Sequence, residues 1–309
     1  MSDSPPPSPP ESAQSESAPL PAWFADLAHR AQAADGQPPF SDQSLVDARR
    51  GEREFIAIGE YAAALLKTES PAEAEFVVDP KLRGHGHGTA LIEALLERSP
   101  DELLIWAHGD HPAARALAAR FGFDAVRRLL QLRAEVPPPG LDPWDAAANS
   151  DGADAELRIS TFRPGTDEDE WVSLNARAFA HHPEQGSVTR TDLEDLERED
   201  WFDAQDFLLL KSNNRVIGYC WLKIEPRAAG EPEQPGEFYV VGVDPDRQGS
   251  GLGRALVAAG LARLARRGIR TASLYVEADN DAAVRLYRSF GFTDHSTDIQ
   301  YALRRFTSR

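Results

Sequence analysis

A loop near residue 250 carries the residues best suited to bind an anion. Val243-Asp244-Pro245 ends a predicted strand, and Gln248-x-x-Gly251-x-Gly253 leads directly into a predicted helix. Glycine lets the backbone approach a ligand closely, and the first N–H groups of a helix have no intrahelical partner. Because the helix dipole adds positive charge at the same place, the loop predicts a phosphate or pyrophosphate site.

The same pattern occurs a second time in the N-terminal half of the chain. Val78-Asp79-Pro80 precedes Arg83-x-x-Gly86-x-Gly88, and Phe121-Gly122-Phe123 later answers Phe290-Gly291-Phe292. A repeat this long predicts two fused domains of one fold rather than a solenoid. Each half reads as helices, strands entering the glycine loop, a helix, a strand, a helix and closing strands. This order predicts an α/β fold with a mixed α+β sheet.

Both loops resemble the Gln/Arg-x-x-Gly-x-Gly/Ala signature of the Gcn5-related N-acetyltransferases (GNAT), which cradle the pyrophosphate of coenzyme A in this way. The resemblance implies two tandem GNAT domains that use acetyl-CoA as co-substrate and hold no metal. In the C-terminal half the implied cofactor contacts are Val241, Gly242, Val243, Gln248, Gly249, Ser250, Gly251, Leu252, Gly253, Arg254, Asn280, Asp281, Ala282, Ala283, Val284 and Arg285. In the N-terminal half they are Phe76, Val77, Val78, Gly84, His85, Gly86, His87, Gly88 and Thr89.

Acetyl transfer from a thioester to an amine needs a base for the amine and an acid for the departing thiolate. By resemblance, Glu237 is the base, acting through water, and Tyr287 is the acid. Each has a structural alternative, since Glu237 could be a solvated charge on an edge strand and Tyr287 a core residue with a wet hydroxyl. Asn280 also has the position of an N-cap for the last helix.

The N-terminal half lacks the same residues when the two halves are aligned by their motifs. Aligning the two Val-Asp-Pro segments puts Ala72 where Glu237 stands, and aligning the Phe-Gly-Phe segments puts Ala118 where Tyr287 stands. His111 takes the place of Asn280. The alignment predicts a degenerate half that binds acetyl-CoA without catalysis.

A further set of residues resembles tandem GNAT enzymes of actinobacteria that acetylate the cysteinyl amine of a cysteine–glucosamine–inositol conjugate. The most specific segment is His182-Pro183-Glu184-Gln185-Gly186. The resemblance implies that this small molecule is the acceptor, held by Asp42, Glu184, Lys223, Glu237 and Tyr275. Carboxylates suit an ammonium group and sugar hydroxyls. Lys223 and Asp42 could instead be surface charges, and Asp42 could help cap a helix.

Composition excludes several classes of partner. The formal net charge of −17 argues against nucleic acid and anionic membrane surfaces, which need a basic field. No apolar run approaches the ~20 residues that span a bilayer. The single cysteine, Cys220, cannot form an intramolecular disulfide, which fits a reducing cytoplasm. We expect a cytoplasmic monomer.

The predicted organisation is a disordered Pro/Ser-rich tail over residues 1–20, an N-terminal domain over 21–135, a linker over 136–155 and a catalytic domain over 156–309. Two other functions stay open at this point. One is an acetyltransferase for a protein N-terminus or another small amine. The other is an acetyl-CoA-binding sensor that turns nothing over, against which the pair Glu237 and Tyr287 argues.

Overall fold

The computed structural model describes residues 20–99, 101–137, 157–226 and 234–304. Apart from Leu20, the predicted N-terminal tail lies outside these ranges, and so does the predicted linker beyond Pro137. None of the helices in these ranges has both the length and the apolar character needed to span a bilayer. The predicted α/β class is confirmed, since helices pack on mixed parallel and antiparallel strands.

The chain forms two compact units. Unit 1 takes the chain up to Arg128 together with the residues from Asp298 onward, and unit 2 takes Leu129–Thr297. The predicted domain boundaries divide the chain differently, because residues 129–135 lie in unit 2 and residues 298–304 lie in unit 1. Strand β5 (Asp124–Glu135) and strand β11 (Thr293–Arg304) therefore each begin in one unit and end in the other.

Unit 1 is a sheet with a parallel pair near one end. Strands β1, β2 and β3 are antiparallel, β3 and β4 are parallel, and β4 is antiparallel to residues 299–304 of β11. Its helices are α1 (Ala22–Asp35), α2 (Asp42–Arg50), α3 (His87–Arg98) and α4 (Pro112–Phe121), and its remaining strands are β1 (Glu54–Ile58), β2 (Ala62–Lys67), β3 (Ala72–Val78) and β4 (Glu102–Ala107).

Unit 2 repeats this plan. Strands β6 to β9 are antiparallel, β9 and β10 are parallel, and β10 is antiparallel to residues 129–135 of β5. Its helices are α5 (Glu168–Ala178), α6 (Pro183–Gly186), α7 (Arg190–Leu196), α8 (Leu252–Arg266) and α9 (Asp281–Arg288), and its other strands are β6 (Leu157–Thr161), β7 (Phe207–Ser212), β8 (Arg215–Lys223), β9 (Gly236–Val243) and β10 (Thr271–Glu277).

Each sheet is covered on both faces, so its strands carry apolar residues on both sides. In unit 2, Leu256 and Leu264 of α8 pack with Leu274 of β10, while Trp171 of α5 packs with Trp221 on the opposite face. Fully burying a side chain of this kind contributes about 1.5–3 kcal/mol. These two packed layers hold the strand ends and the glycine loop in place.

Candidate active site

The glycine loop of unit 2 owes its shape to backbone conformation. Asp244 Oδ1 accepts a hydrogen bond from the N–H of Asp246 at 3.1 Å, which starts a short 3-10 turn after β9. Gly249 and Gly251 then have φ of 79° and 85°, a region that L side chains rarely adopt. A Cβ on either glycine would meet nothing within 4 Å, so glycine is favoured at these two positions by the torsion angle and not by a lack of space.

Helix α8 begins directly after Gly251, and no side chain among the described residues caps its first turn. The first N–H groups and the positive end of a 15-residue helix therefore point out of the loop. Gly253, in the first turn, lies so near Leu286 that a Cβ would be 3.3 Å from Cδ2 of that leucine. This geometry fits a pyrophosphate held by backbone donors.

Unit 1 builds the same loop with different residues. Asp79 Oδ1 accepts from the N–H of Lys81 at 3.0 Å, Gly84 and Gly86 have φ of 78° and 90°, and α3 begins at His87. A cleft of about 380 Å³ opens beside this loop, between β3, β4 and α4. Of the nine residues predicted to contact cofactor in this half, all except His85 line that cleft.

Glu237 is the second residue of β9 and lies between two neighbouring strands. It is directly opposite Lys223 of β8 and pairs in register with Ser273 of β10. The pairing of β8 with β9 shifts between Trp221 and Leu222, which marks a bulge in β9 at Tyr239. Such bulges re-aim side chains and interrupt a ladder next to functional sites.

Tyr287 lies on α9 and is 9% exposed, packed against Phe292 with ring centroids 5.8 Å apart. Burial raises the pKa of its phenol above the ordinary value of 10.0, with a further contribution from Cys220. The neutral phenol therefore persists at neutral pH. This suits a proton donor and not a base.

Asn280 is the N-cap of α9, with its side-chain oxygen accepting from the N–H of Ala283 at 3.1 Å. The capping role that sequence suggested for it is confirmed. The remaining predicted contacts on this helix, residues 281–285, form its first turn and a half.

The predicted acceptor residues of unit 2 lie on three strands and one short helix. Lys223 is 6% exposed, with Nζ 2.9 Å from Glu225 Oε1 and 5.1 Å above the ring of Trp201. Tyr275 is on β10, where its Oη accepts a hydrogen bond from Gln131 Nε2 at 2.8 Å. Glu184 is in α6, and its side chain lies outside what the structure describes.

Helix α6 is anchored by buried amides. Asn175 of α5 donates through Nδ2 to the carbonyl of Gln185 at 2.6 Å, and Gln185 donates back to Asn175 Oδ1 at 3.0 Å. The hydroxyl of Tyr219 donates to the same oxygen at 2.6 Å. Sequence reasoning singled out the loop but missed Asn175, which is distant in sequence and fully buried.

Asp42 is the first residue of α2, in unit 1. The cap of this helix is the neighbouring Ser41, whose hydroxyl accepts from the N–H of Ser44 at 3.2 Å. Asp42 therefore adds an acidic charge to the first turn without being the N-cap.

The prediction that Ala72 stands where Glu237 stands is wrong. Glu73 is opposite Lys67 and pairs in register with Leu104, as Glu237 is opposite Lys223 and pairs with Ser273. The bulge in β9 adds one residue between Glu237 and the loop, so counting back from the loop gives the wrong partner by one. Unit 1 does keep a carboxylate at the position of the predicted base.

This carboxylate is held by a buried cation. Arg53 Nη2 donates to Glu73 Oε1 at 2.9 Å, and Gln300 Nε2 donates to Glu73 Oε2 at 3.4 Å. Arg53 is 4% exposed at its side chain and also donates to Asp47 at 3.3 Å. The other two alignments agree with the structure, since Ala118 lies within α4 and His111 caps that helix through the N–H of Ala113.

A second buried polar group in unit 1 was missed by sequence reasoning. His108 Nδ1 is 2.8 Å from Asp298 Oδ2, and its Nε2 is 3.7 Å from Glu75 Oε1. Burial opposes the charge on His108, but the hydrogen bond to Asp298 and the negative charges of Asp298 and Glu75 outweigh it and raise the pKa to about 10. Glu75 also accepts from the N–H and hydroxyl of Ser41. The sequence signal that could have indicated this group is Asp298, an acidic residue directly before the apolar end of β11.

Comparisons with known proteins agree with the geometry. A profile described as the Acetyltransferase (GNAT) family matches residues 13–123 and 170–292. A protein of Kocuria rhizophila named mycothiol acetyltransferase is 42% identical over 299 residues, covering 93% of this chain and 97% of its own. Proteins of the same name are 43% identical in Thermobispora bispora, covering 89% and 93%, and 46% identical in Clavibacter sepedonicus, covering 89% of each.

Solved structures share the fold. A GCN5-related N-acetyltransferase from Sphaerobacter thermophilus matches with a TM-score of 0.63 and 22% identity, covering 93% of this chain and 94% of its own. A tandem GNAT protein from the clavulanic acid biosynthesis pathway matches with a TM-score of 0.60 and 17% identity, covering 93% and 95%. At this level of identity the match concerns the fold alone.

Proposed function

The chain belongs to the acetyltransferase (GNAT) family, and on that premise we propose that it is a mycothiol acetyltransferase. It transfers acetyl from acetyl-CoA to the cysteinyl amine of the cysteine–glucosamine–inositol conjugate, the last step of mycothiol biosynthesis. The observation that carries the proposal is the match at 42–46% identity to relatives of that name over about nine-tenths of the chain.

Unit 2 is the catalytic unit in this proposal. The loop from Gln248 to Gly253 and the first turns of α8 and α9 bind the pyrophosphate and the arm of coenzyme A. Acetyl-CoA supplies the activated acetyl group when bound. Support comes from the two positive-φ glycines and from the backbone donors at the start of α8.

Glu237 takes the proton of the acceptor amine through a water molecule. A free α-amino group has a pKa near ~7.7–8.0, so a carboxylate acting through water is a sufficient base near neutral pH. Tyr287 donates its phenolic proton to the departing thiolate. Burial raises the pKa of this phenol, so the hydroxyl carries its proton at neutral pH.

The acceptor is held by Lys223, Tyr275, Glu184 and Glu237 in unit 2. Carboxylates attract its ammonium group, and the lysine and tyrosine offer donors to its hydroxyls. Lys223 is well suited because its buried stem and its contact with Trp201 fix the ammonium group.

Unit 1 binds acetyl-CoA without turning it over. Its loop has the same positive-φ glycines as the loop of unit 2, and a cleft of about 380 Å³ opens beside it, which supports binding. One substitution and one difference in ion pairing support the lack of turnover. Ala118 offers no proton for a thiolate, and Glu73 is engaged by Arg53 where Glu237 lies beside Lys223.

The test is a turnover assay with purified protein, acetyl-CoA and the cysteine–glucosamine–inositol conjugate. Release of coenzyme A is followed, and product mass is checked for one added acetyl group. Product that disappears in Glu237→Gln and Tyr287→Phe supports both acceptor and site. Binding of acetyl-CoA without product overturns the acceptor, and peptides with free N-termini are then assayed.

A further inference from the structure

The hydroxyl of Tyr275 is held by a residue that the sequence places in the other half of the chain. Gln131 of β5 is directly opposite Tyr275 of β10. Its Nε2 donates to Tyr275 Oη at 2.8 Å, and its own Oε1 accepts from the hydroxyl of Ser296 at 3.1 Å. Gln131 is 7% exposed, and all three residues belong to unit 2.

This chain of hydrogen bonds has a direction. Ser296 donates to the amide oxygen, which fixes the amide with its NH₂ group toward Tyr275. A phenol that accepts from an amide nitrogen must direct its own proton elsewhere. The Tyr275 hydroxyl is therefore set as a donor on the side away from Gln131.

We propose that Gln131 is a positioning residue for acceptor binding, which holds the Tyr275 hydroxyl in place as a hydrogen-bond donor to the acceptor. The inference rests on the proposed function, which gives Tyr275 a contact with the acceptor. It adds a residue of the 129–135 segment to the acceptor site of unit 2, although that segment precedes the linker in sequence.

Unit 1 contains a natural comparison. Gln300 of β11 is the repeat counterpart of Gln131 and is opposite Trp106, the counterpart of Tyr275. It is equally buried, at 2% exposure, but it faces an indole with no hydroxyl and donates to Glu73. A buried glutamine at this register thus serves a different partner in each unit, and Gln300→Leu is a matched control for packing.

The experiment is steady-state kinetics of Gln131→Leu with the amine that the wild type acetylates. Losing one donor to the hydroxyl should raise the KM for the amine about tenfold, with kcat and the KM for acetyl-CoA changed less than about threefold. In a Tyr275→Phe background the same substitution should change the KM for the amine less than about twofold, because no hydroxyl remains to be positioned. Gln300→Leu should leave that KM within about twofold of wild type.

An equal rise in KM in both backgrounds, or a similar rise in Gln300→Leu, overturns the proposal in favour of a general packing role.

A second measurement does not depend on turnover. With tyrosine labelled by 13C at Cζ, the Tyr275 signal, assigned through Tyr275→Phe, should shift in Gln131→Leu and stay in Gln300→Leu. If the conjugate is not acetylated but this signal shifts, the proposed acceptor fails and the hydrogen bond stands. An unmoved signal overturns the positioning role itself.

Discussion

The two units share a glycine loop but differ in the residues that lie beside one carboxylate. Glu237 of unit 2 lies opposite Lys223, on a strand that a bulge interrupts beside Tyr239. Glu73 of unit 1 occupies the matching register on a strand without such a shift, and Arg53 binds it at 2.9 Å. The two carboxylates therefore share a register position but differ in the cation beside them.

In the proposed function, the difference between the units also separates binding from catalysis. The two glycine loops have nearly the same backbone torsion angles, with φ of 90° and 85° at Gly86 and Gly251, which precede the helices. What changes is the proton chemistry, since Ala118 replaces Tyr287 and a guanidinium engages Glu73. In the proposed function unit 1 keeps its ligand site without catalysis, because backbone donors need no particular side chain.

The largest expected effect comes from removing the matched carboxylates one at a time. Glu237→Gln should lower kcat by about 10²- to 10⁴-fold, because the general base is lost while shape is retained. Glu73→Gln should leave kcat within about threefold once folding is verified by circular dichroism. A comparable loss of kcat in both variants would contradict the division of labour between the units.

A substitution of Arg53 tests whether the carboxylate of Glu73 in unit 1 has a structural role. Arg53→Met should lower the free energy of unfolding by about 3–5 kcal/mol, because it leaves buried Asp47 and partly buried Glu73 without their cation. Arg98→Met removes an exposed ion pair with Glu54 and should cost at most about 1 kcal/mol. Urea unfolding followed by circular dichroism measures the free energy of unfolding of both variants. Equal losses would mean that the ion pairs of Arg53 stabilise the fold no more than the exposed pair of Arg98.

Glycine substitutions should separate the two proposed acetyl-CoA sites by calorimetric titration. Gly251→Ala and Gly86→Ala each force an L side chain into the left-handed region, which costs about 1–2 kcal/mol. Each should weaken one site by about tenfold and leave the other site at its wild-type affinity. A single binding event in the wild type, unaffected by Gly86→Ala, would show that unit 1 holds no acetyl-CoA.

A further expected effect concerns pH and unit 1 alone. The folded pKa of His108 is about 10 against an ordinary 6.5, so its contribution to stability is complete below pH 6.5 and is lost as pH rises through 10. The difference in unfolding free energy between wild type and His108→Gln should therefore shrink from pH 6.5 to pH 10. Denaturant titrations at intermediate pH values measure this, and a constant difference would show that His108 does not carry the charge.

Local features were predictable from sequence. The positive-φ glycines, the strand-to-helix order and the Asn280 cap each depend on residues within a few positions of one another. The α/β class followed from such local patterns. The acetyltransferase chemistry was implied by the family resemblance, which the sequence reveals because the loop is a continuous segment.

Features that depend on strand pairing were not predictable. The identity of the base position in unit 1 required the register, and a one-residue bulge in β9 is invisible to counting along the chain. Gln131 and Tyr275 are separated by 144 residues, and His108 and Asp298 by 190, so no local pattern reports that they touch. The predicted domain boundary at residue 135 differs from the boundary of the units for the same reason. In the sequence β5 is the last strand of the first half, and only its pairing with β10 shows that residues 129–135 belong to unit 2.

The crossing of β5 and β11 from one unit to the other also sets an order for assembly on the ribosome. Strand β4 pairs on one side with β3, and on the other with residues 299–304, which are synthesised after all of unit 2. Until they emerge, β4 has an open edge of the kind that recruits other chains. Unit 1 is translated first but is completed last, so a stalled or truncated chain would expose this edge even when unit 2 is nearly whole.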